Sequence, residues 1–183
     1  MRHALLLAGL FCAIALTAHA AESDSAAQIR VADSFYRVHQ ASSQDGIPDA
    51  ALLAKYAPYV SPGLNSLLGN ANAAEVKFTQ ANKDSPPLVE GDLFSSMFEG
   101  VTSFHVKTCN GDAQNAQCAA DMIYDDSRKN PSDKPVHWTD TAYLVKTQDG
   151  WRVDDIGYGG SWDFGNKGRM RQTLTVIIGT AGN

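Results

Sequence analysis

The chain has 183 residues, with 15 Lys+Arg against 20 Asp+Glu, a formal net charge of −5, and 44% hydrophobic residues. Beyond the N-terminus no apolar run approaches the ~20 residues a bilayer span needs, which excludes a polytopic membrane protein. The cations are scattered, without the basic stripe and interleaved aromatics of a nucleic-acid binder, so no nucleic-acid partner is expected.

Residues 1–20, MRHALLLAGLFCAIALTAHA, have the grammar of a signal peptide. Arg2 supplies the basic start, an apolar stretch follows to Leu16, and Ala18-His19-Ala20 is an A-x-A cleavage site. That stretch is too short to span a bilayer, and bulky Phe11 before Cys12 breaks the small-residue rule of a lipoprotein signal. Cleavage is therefore expected after Ala20, leaving residues 21–183 as a single domain in the periplasm. Only Cys109 and Cys118 remain after cleavage, an even count in an oxidising compartment, so they are expected to be bridged. A metal site would need two more ligands at fitting spacing, and His105 is the only near candidate. Neither a metal nor a cofactor is expected.

Helical periodicity fills the first half. A capping box, Ser25-x-x-Gln28, opens a helix that carries Ile29, Ala32, Phe35, Tyr36, Val38 and His39 on one stripe and ends near Ser43. Asp49, behind Pro48, caps a short helix bearing Leu52, Leu53 and Tyr56. Ser61 caps a third with Pro62 at its first position, where the fixed φ and missing N–H cost nothing. Its stripe runs through Leu64, Leu67, Leu68, Ala71, Ala74 and Phe78, with Gly69 as a weak point. The polar run ending in Pro86-Pro87 leads to a short helical turn over 92–99, with Asp92 as its cap and Gly100 as its stop.

The period then changes to two. Residues 102–109, 118–124, 138–147 and 151–158 read as strands rich in Val, Ile, Thr, Tyr and Trp. The last two are joined by Gln148-Asp149-Gly150, a tight-hairpin signal. The glycine-rich GYGGSWDFGNKG (157–168) leaves the sheet, and residues 169–178 fit either a closing helix or a strand. Helices followed by an antiparallel sheet of about four strands define an α+β fold, the helices packed on one face of a curved sheet.

Several stretches taken together resemble a known family. LVEGDLFSSMFEG (88–100), Trp138-Thr139-Asp140, WRVDDI (151–156) and WDFGNKG (162–168) are similar to the bacterial domain of unknown function 3828. So is YVSPGL (59–64) following GIP (46–48). The resemblance covers nearly the whole chain after residue 20. It implies a cone-shaped architecture of the nuclear-transport-factor-2-like (cystatin-like) superfamily in exported, often envelope-associated proteins with no assigned activity. Many members look like lipoproteins, and this chain departs from them in lacking that signal.

The candidate residues fall into four groups. Glu90, Asp92 and Glu99 flank the short helical turn, where Asp92 is placed to cap it or to act as a base at a sheet mouth. Asp154 and Asp155 point to opposite faces of a regular strand, so without a bulge they cannot form a dyad, and a buried member needs a partner such as Arg152, Arg169 or Arg171. His105 and His137 lie on strands and can titrate near neutrality. Tyr143, Trp151, Tyr158, Trp162 and Phe164, with the glycines around them, have the composition of a recognition surface or of a core. No nucleophile motif, phosphate loop or zinc pattern is present. The leading expectation is a non-catalytic binding domain for an envelope protein or small ligand, in its specific version an inhibitor or immunity-type protein. The alternative is a small pocket enzyme, a hydrolase or isomerase, pairing Asp92 or Asp155 with His105 or His137.

Overall fold

The computed structural model describes residues 24–42 and 45–180. The expected signal peptide and its cleavage site lie outside the described residues. The order is α1 (Asp24–Ser42), α2 (Ala50–Tyr56), α3 (Pro62–Ala81), β1 (Ser103–Gly111), β2 (Asn115–Tyr124), β3 (Val136–Thr147), β4 (Gly150–Gly157) and α4 (Met170–Thr180). This is the expected α+β order, and the ambiguous tail is a helix.

Two helix starts match their sequence signals atom for atom. The Asp49 carboxylate accepts from the Leu52 amide at 2.8 Å, and the Ser61 hydroxyl accepts from the Leu64 amide at 2.9 Å. The first helix already includes Asp24 and Ser25, so Ser25 lies inside the first turn rather than capping it. Asp24 takes the leading position, where a carboxylate complements the helix dipole and reaches Lys146 and Trp151 on the hairpin.

The four strands form an open antiparallel meander in the order β1-β2-β3-β4. Alternate residues in the middle of β2 and β3 are buried: Ala116, Cys118, Ala120 and Met122, then Trp138, Asp140, Ala142 and Leu144. They form the inward face of the sheet, while Gln117, His137 and Thr139 face away into solvent. Cys109 and Cys118 pair directly across β1 and β2 and are joined by the expected disulfide, their Cα atoms 4.0 Å apart. The hairpin turn at Gly150 takes φ +100°, open to glycine and strained for other residues. The β4 edge is covered by a parallel bridge from Val60 to Val153, with the Ser61 amide on the Val153 carbonyl at 2.8 Å. Phe35, Tyr56 and Phe94 stack at 4.9–5.4 Å between the helices and the sheet and make the aromatic centre of the core. Among the described residues, no helix is long and apolar enough to cross a membrane.

Candidate functional site

Residues 91–97 contain no helix or strand, yet all seven are buried. A buried irregular segment must find partners for its backbone polar groups. The expected helical turn over 92–99 is therefore corrected to a loop. The Asp92 carboxylate takes the Phe94 amide at 2.7 Å and the Ser95 hydroxyl at 2.8 Å, and His39 Nε2 lies 2.9 Å from it. Its own amide donates to the Phe98 carbonyl at 2.9 Å, closing the loop. Local carboxylate-to-backbone bonding competes with helix formation, and here it is reinforced by a histidine 53 positions away in sequence. Gly91 stands at φ +71°, and a Cβ there would meet the Phe98 ring at 2.6 Å.

A second buried carboxylate locks this loop to the glycine-rich segment 157–168. Asp140 is fully buried on the inward face of β3. It accepts four hydrogen bonds: from the Ser96 amide at 2.8 Å, the Ser96 hydroxyl, the Trp138 indole at 3.0 Å and the Gly159 amide at 2.8 Å. Those four donors fill its acceptor sites. Gly160 donates to the Ser96 hydroxyl at 2.9 Å, and the Asn166 amide side chain bonds the Asp92 and Ser95 carbonyls, both at 2.7 Å. A Cβ on Gly159 would collide with the Thr139 carbonyl oxygen, which accounts for glycine there. Trp162 closes edge-on over Trp138 with ring centroids 5.3 Å apart. Segments 92–96, 138–140 and 159–166 thus meet at one place.

The carboxylates set the local field. Burial pushes the fully buried Tyr36 phenol far above its ordinary pKa, and Asp140 and Asp92 add to the shift. The same causes, burial first and then Asp92, Asp155 and Asp140, raise Tyr158. Its hydroxyl donates to the Leu93 carbonyl at 2.7 Å, whereas the Tyr36 hydroxyl has no partner.

His39 and Asp92 form the floor of a cleft of about 240 Å³ that also involves Gln40, Asp45 and Glu99. The imidazole is 7% exposed, with the Tyr56 hydroxyl 3.4 Å from Nδ1 and Phe94 edge-on at 5.3 Å. Ser95 shares the Asp92 oxygen with His39, so it is held by the acid and not by the base. A nucleophile–base relay needs the opposite order.

The other candidates are placed as follows. Asp155 accepts from Arg169 Nε at 2.7 Å and the Arg171 amide at 3.0 Å. Asp154 accepts from the Ser61 hydroxyl and from Arg171 Nη1 at 3.1 Å. A bulge intervenes here: Tyr143 pairs with Asp155 and Leu144 with Val153, leaving Asp154 out of register. The Arg169 guanidinium covers the Tyr143 ring at 3.3 Å.

His105 and His137 are exposed on the outer face of the sheet, in a groove of about 380 Å³ shared with Lys107, Asp121 and Thr139. The Lys107 ammonium, 2.5 Å away, holds the Asp121 carboxyl below its usual range, helped by Thr139. The structure bonds neither histidine to Asp92 or Asp155. The acid–imidazole pair that it does assemble is Asp92 with His39, a residue the sequence placed only in the stripe of α1.

Trp151 is buried, Tyr158 and Trp162 are half-buried, Glu90 is exposed and Phe164 is 91% exposed. Asp140, Ser96 and Asn166 escaped the sequence reading. The available signal was the alternation of β3, which puts Asp140 on the apolar face beside Trp138 and Ala142. Among the described residues, no group of three His, Cys, Asp or Glu is placed to hold a metal. Searches of protein-family models, curated proteins and solved structures found no match to this chain.

Proposed function

We propose that this is a non-catalytic binding protein of the cell envelope, exported to the periplasm, which engages a partner protein through the tip of the 157–168 loop. The observation that carries this reading is Phe164, a large apolar side chain 91% exposed on a loop whose base is hydrogen-bonded. The base is held by Gly160 on the Ser96 hydroxyl, the Asn166 amide on the Ser96 carbonyl at 2.9 Å, and Lys167 Nζ on the Trp162 carbonyl at 2.5 Å. An exposed aromatic on a preorganised support is the form of an interface anchor, because little ordering entropy is left to lose on binding. An inhibitor or immunity-type role fits a small disulfide-stapled domain presenting one fixed anchor.

Membership of the domain-of-unknown-function 3828 family is part of this proposal. Its support is the meeting of the resembling stretches around Asp92 and Asp140. The cone-shaped nuclear-transport-factor-2-like architecture is proposed on the order of helices before an open antiparallel sheet.

A photoreactive amino acid at position 164 tests the reading in native envelope, with the same group at exposed Lys77 as control. Crosslinking to one protein from position 164 alone, lost on competition with unlabelled protein but kept with Phe164→Ala as competitor, is expected. Equal labelling from position 77, or undiminished competition by Phe164→Ala, refutes it. An exported chain whose N-terminus is not Ala21 would refute the leader assignment.

A second reading rests on the cleft above His39. With His39 orienting it, the Asp92 carboxylate could serve as a general base for a hydrolase or isomerase acting on a small substrate. Turnover abolished by His39→Gln and unchanged by Phe164→Ala would favour that reading.

A further inference from the structure

A polar cavity lies away from both loops. It has a volume of about 300 Å³, at the lower end of the range of small-molecule sites, and sits between α1, the chain at Pro58 and Tyr59, and the β3–β4 hairpin. Three cations line it, Arg30, Lys146 and Arg152, against one acid, Asp149. In a chain of net charge −5 this is a local inversion of sign. Its aromatic members are Trp151, 3% exposed, and Tyr59. Lys146 Nζ stands 5.0 Å from the centre of the Trp151 ring, and Arg152 is held in place by donating to the Trp151 carbonyl at 2.8 Å.

One carboxylate shows how this lining treats an anion. A single oxygen of Asp24 receives Lys146 Nζ at 2.5 Å and the Trp151 indole N–H at 3.0 Å. The Asp24 carboxyl is held below its ordinary range, first by the Lys146 hydrogen bond and then by Trp151. Asp24 is itself solvent-exposed and stands at the first residue of α1, so its carboxylate reaches these donors from the rim rather than filling the cavity. An ammonium and an indole N–H converging on one oxygen make a charge-assisted site that any carboxylate of suitable size can use.

We propose that this cavity is a binding site for a small carboxylate-bearing ligand, whose carboxylate displaces Asp24 from Lys146 and Trp151 while Arg152 takes up further negative charge. Asp24 is then a tethered competitor that keeps the donors satisfied until the ligand arrives. The site uses none of the residues of the Phe164 loop, so each proposal can fail alone.

The test follows the Trp151 indole N–H resonance, assigned through Trp151→Phe, while citrate is titrated into the whole domain. The expected result is a saturable shift of that resonance. Asp24→Ala should tighten the apparent affinity by about tenfold, because removing a tethered competitor lifts its effective concentration. Lys146→Gln should weaken it by at least about tenfold through loss of the charge-assisted bond. Melting temperatures within a few degrees of the parent show that each variant is folded. The proposal is overturned if the resonance does not move in either the parent or Asp24→Ala. It is also overturned if Asp24→Ala weakens binding, if Lys146→Gln leaves it unchanged, or if inorganic phosphate binds as well as citrate.

Discussion

The sheet and the pair of loops beside it solve the same problem by opposite means. In the meander each strand pairs with its neighbour in sequence, and backbone satisfies backbone along regular ladders. The loops at 91–100 and 157–168 are as deeply placed at their contact, but a few side chains supply the partners: Asp92, Asp140, Ser96 and Asn166. A ladder shares its load among many equivalent bonds, whereas a lock of four residues concentrates it. Substitution should therefore be far more damaging in the loops than on the open face of the sheet.

The sharpest way to break that contrast is Asp140→Ala. It leaves the Ser96 amide and hydroxyl, the Gly159 amide and the Trp138 indole without an acceptor, at roughly 1–3 kcal/mol for each buried donor. A loss above about 4 kcal/mol is expected in urea unfolding, and a loss below about 1 would mean that the lock is dispensable. Next in size is reduction of the Cys109–Cys118 bridge. It closes a loop with a sequence separation of 9, so the chain-entropy model gives about 2.7 kcal/mol, and thermal unfolding with and without reductant measures it.

Glycine gives a matched pair of tests. Gly159→Ala drives a methyl group into the Thr139 carbonyl and should cost about 1–3 kcal/mol. Gly69→Ala in α3, where an added Cβ meets nothing within 4 Å, should stabilise by about 0.5–1 kcal/mol. The smallest effect is expected from Tyr36→Phe, which removes a buried hydroxyl that has no partner. The substitution should be neutral or slightly stabilising, and a loss above about 1 kcal/mol would reveal a bond to the polar cluster.

The sequence was most readable where the signal is local. Asp49 and Ser61 announce their helices because a cap acts within four residues, and Asp149-Gly150 announces a hairpin for the same reason. The turn over 92–99 misled because Asp92 reads as a helix cap and Gly100 as a stop. Its conformation depends on His39, which arrives from another helix, and on Asn166, which arrives from another loop. The orientation of Asp155 depends on a bulge that no residue type in the strand marks, although its partners Arg169 and Arg171 are among those expected for a buried member of the pair. Asp140 was readable in principle, since strict alternation places it inward, and a buried carboxylate with no cation beside it requires several neutral donors.

The order of the strands bears on how fast the chain finds its fold. A meander zips through successive hairpins, two of them closed by the short connections 112–114 and 148–149 and the middle one by the longer 125–135. The bonds that tie the loops and layers together span 53 residues from His39 to Asp92, 44 from Ser96 to Asp140 and 93 from Ser61 to Asp154. Contacts with such large closure entropies form late, after the sheet has presented their partners. Weakening them should then leave the folding rate nearly untouched and accelerate unfolding, so the polar lock sets the lifetime of the folded state more than the speed of reaching it.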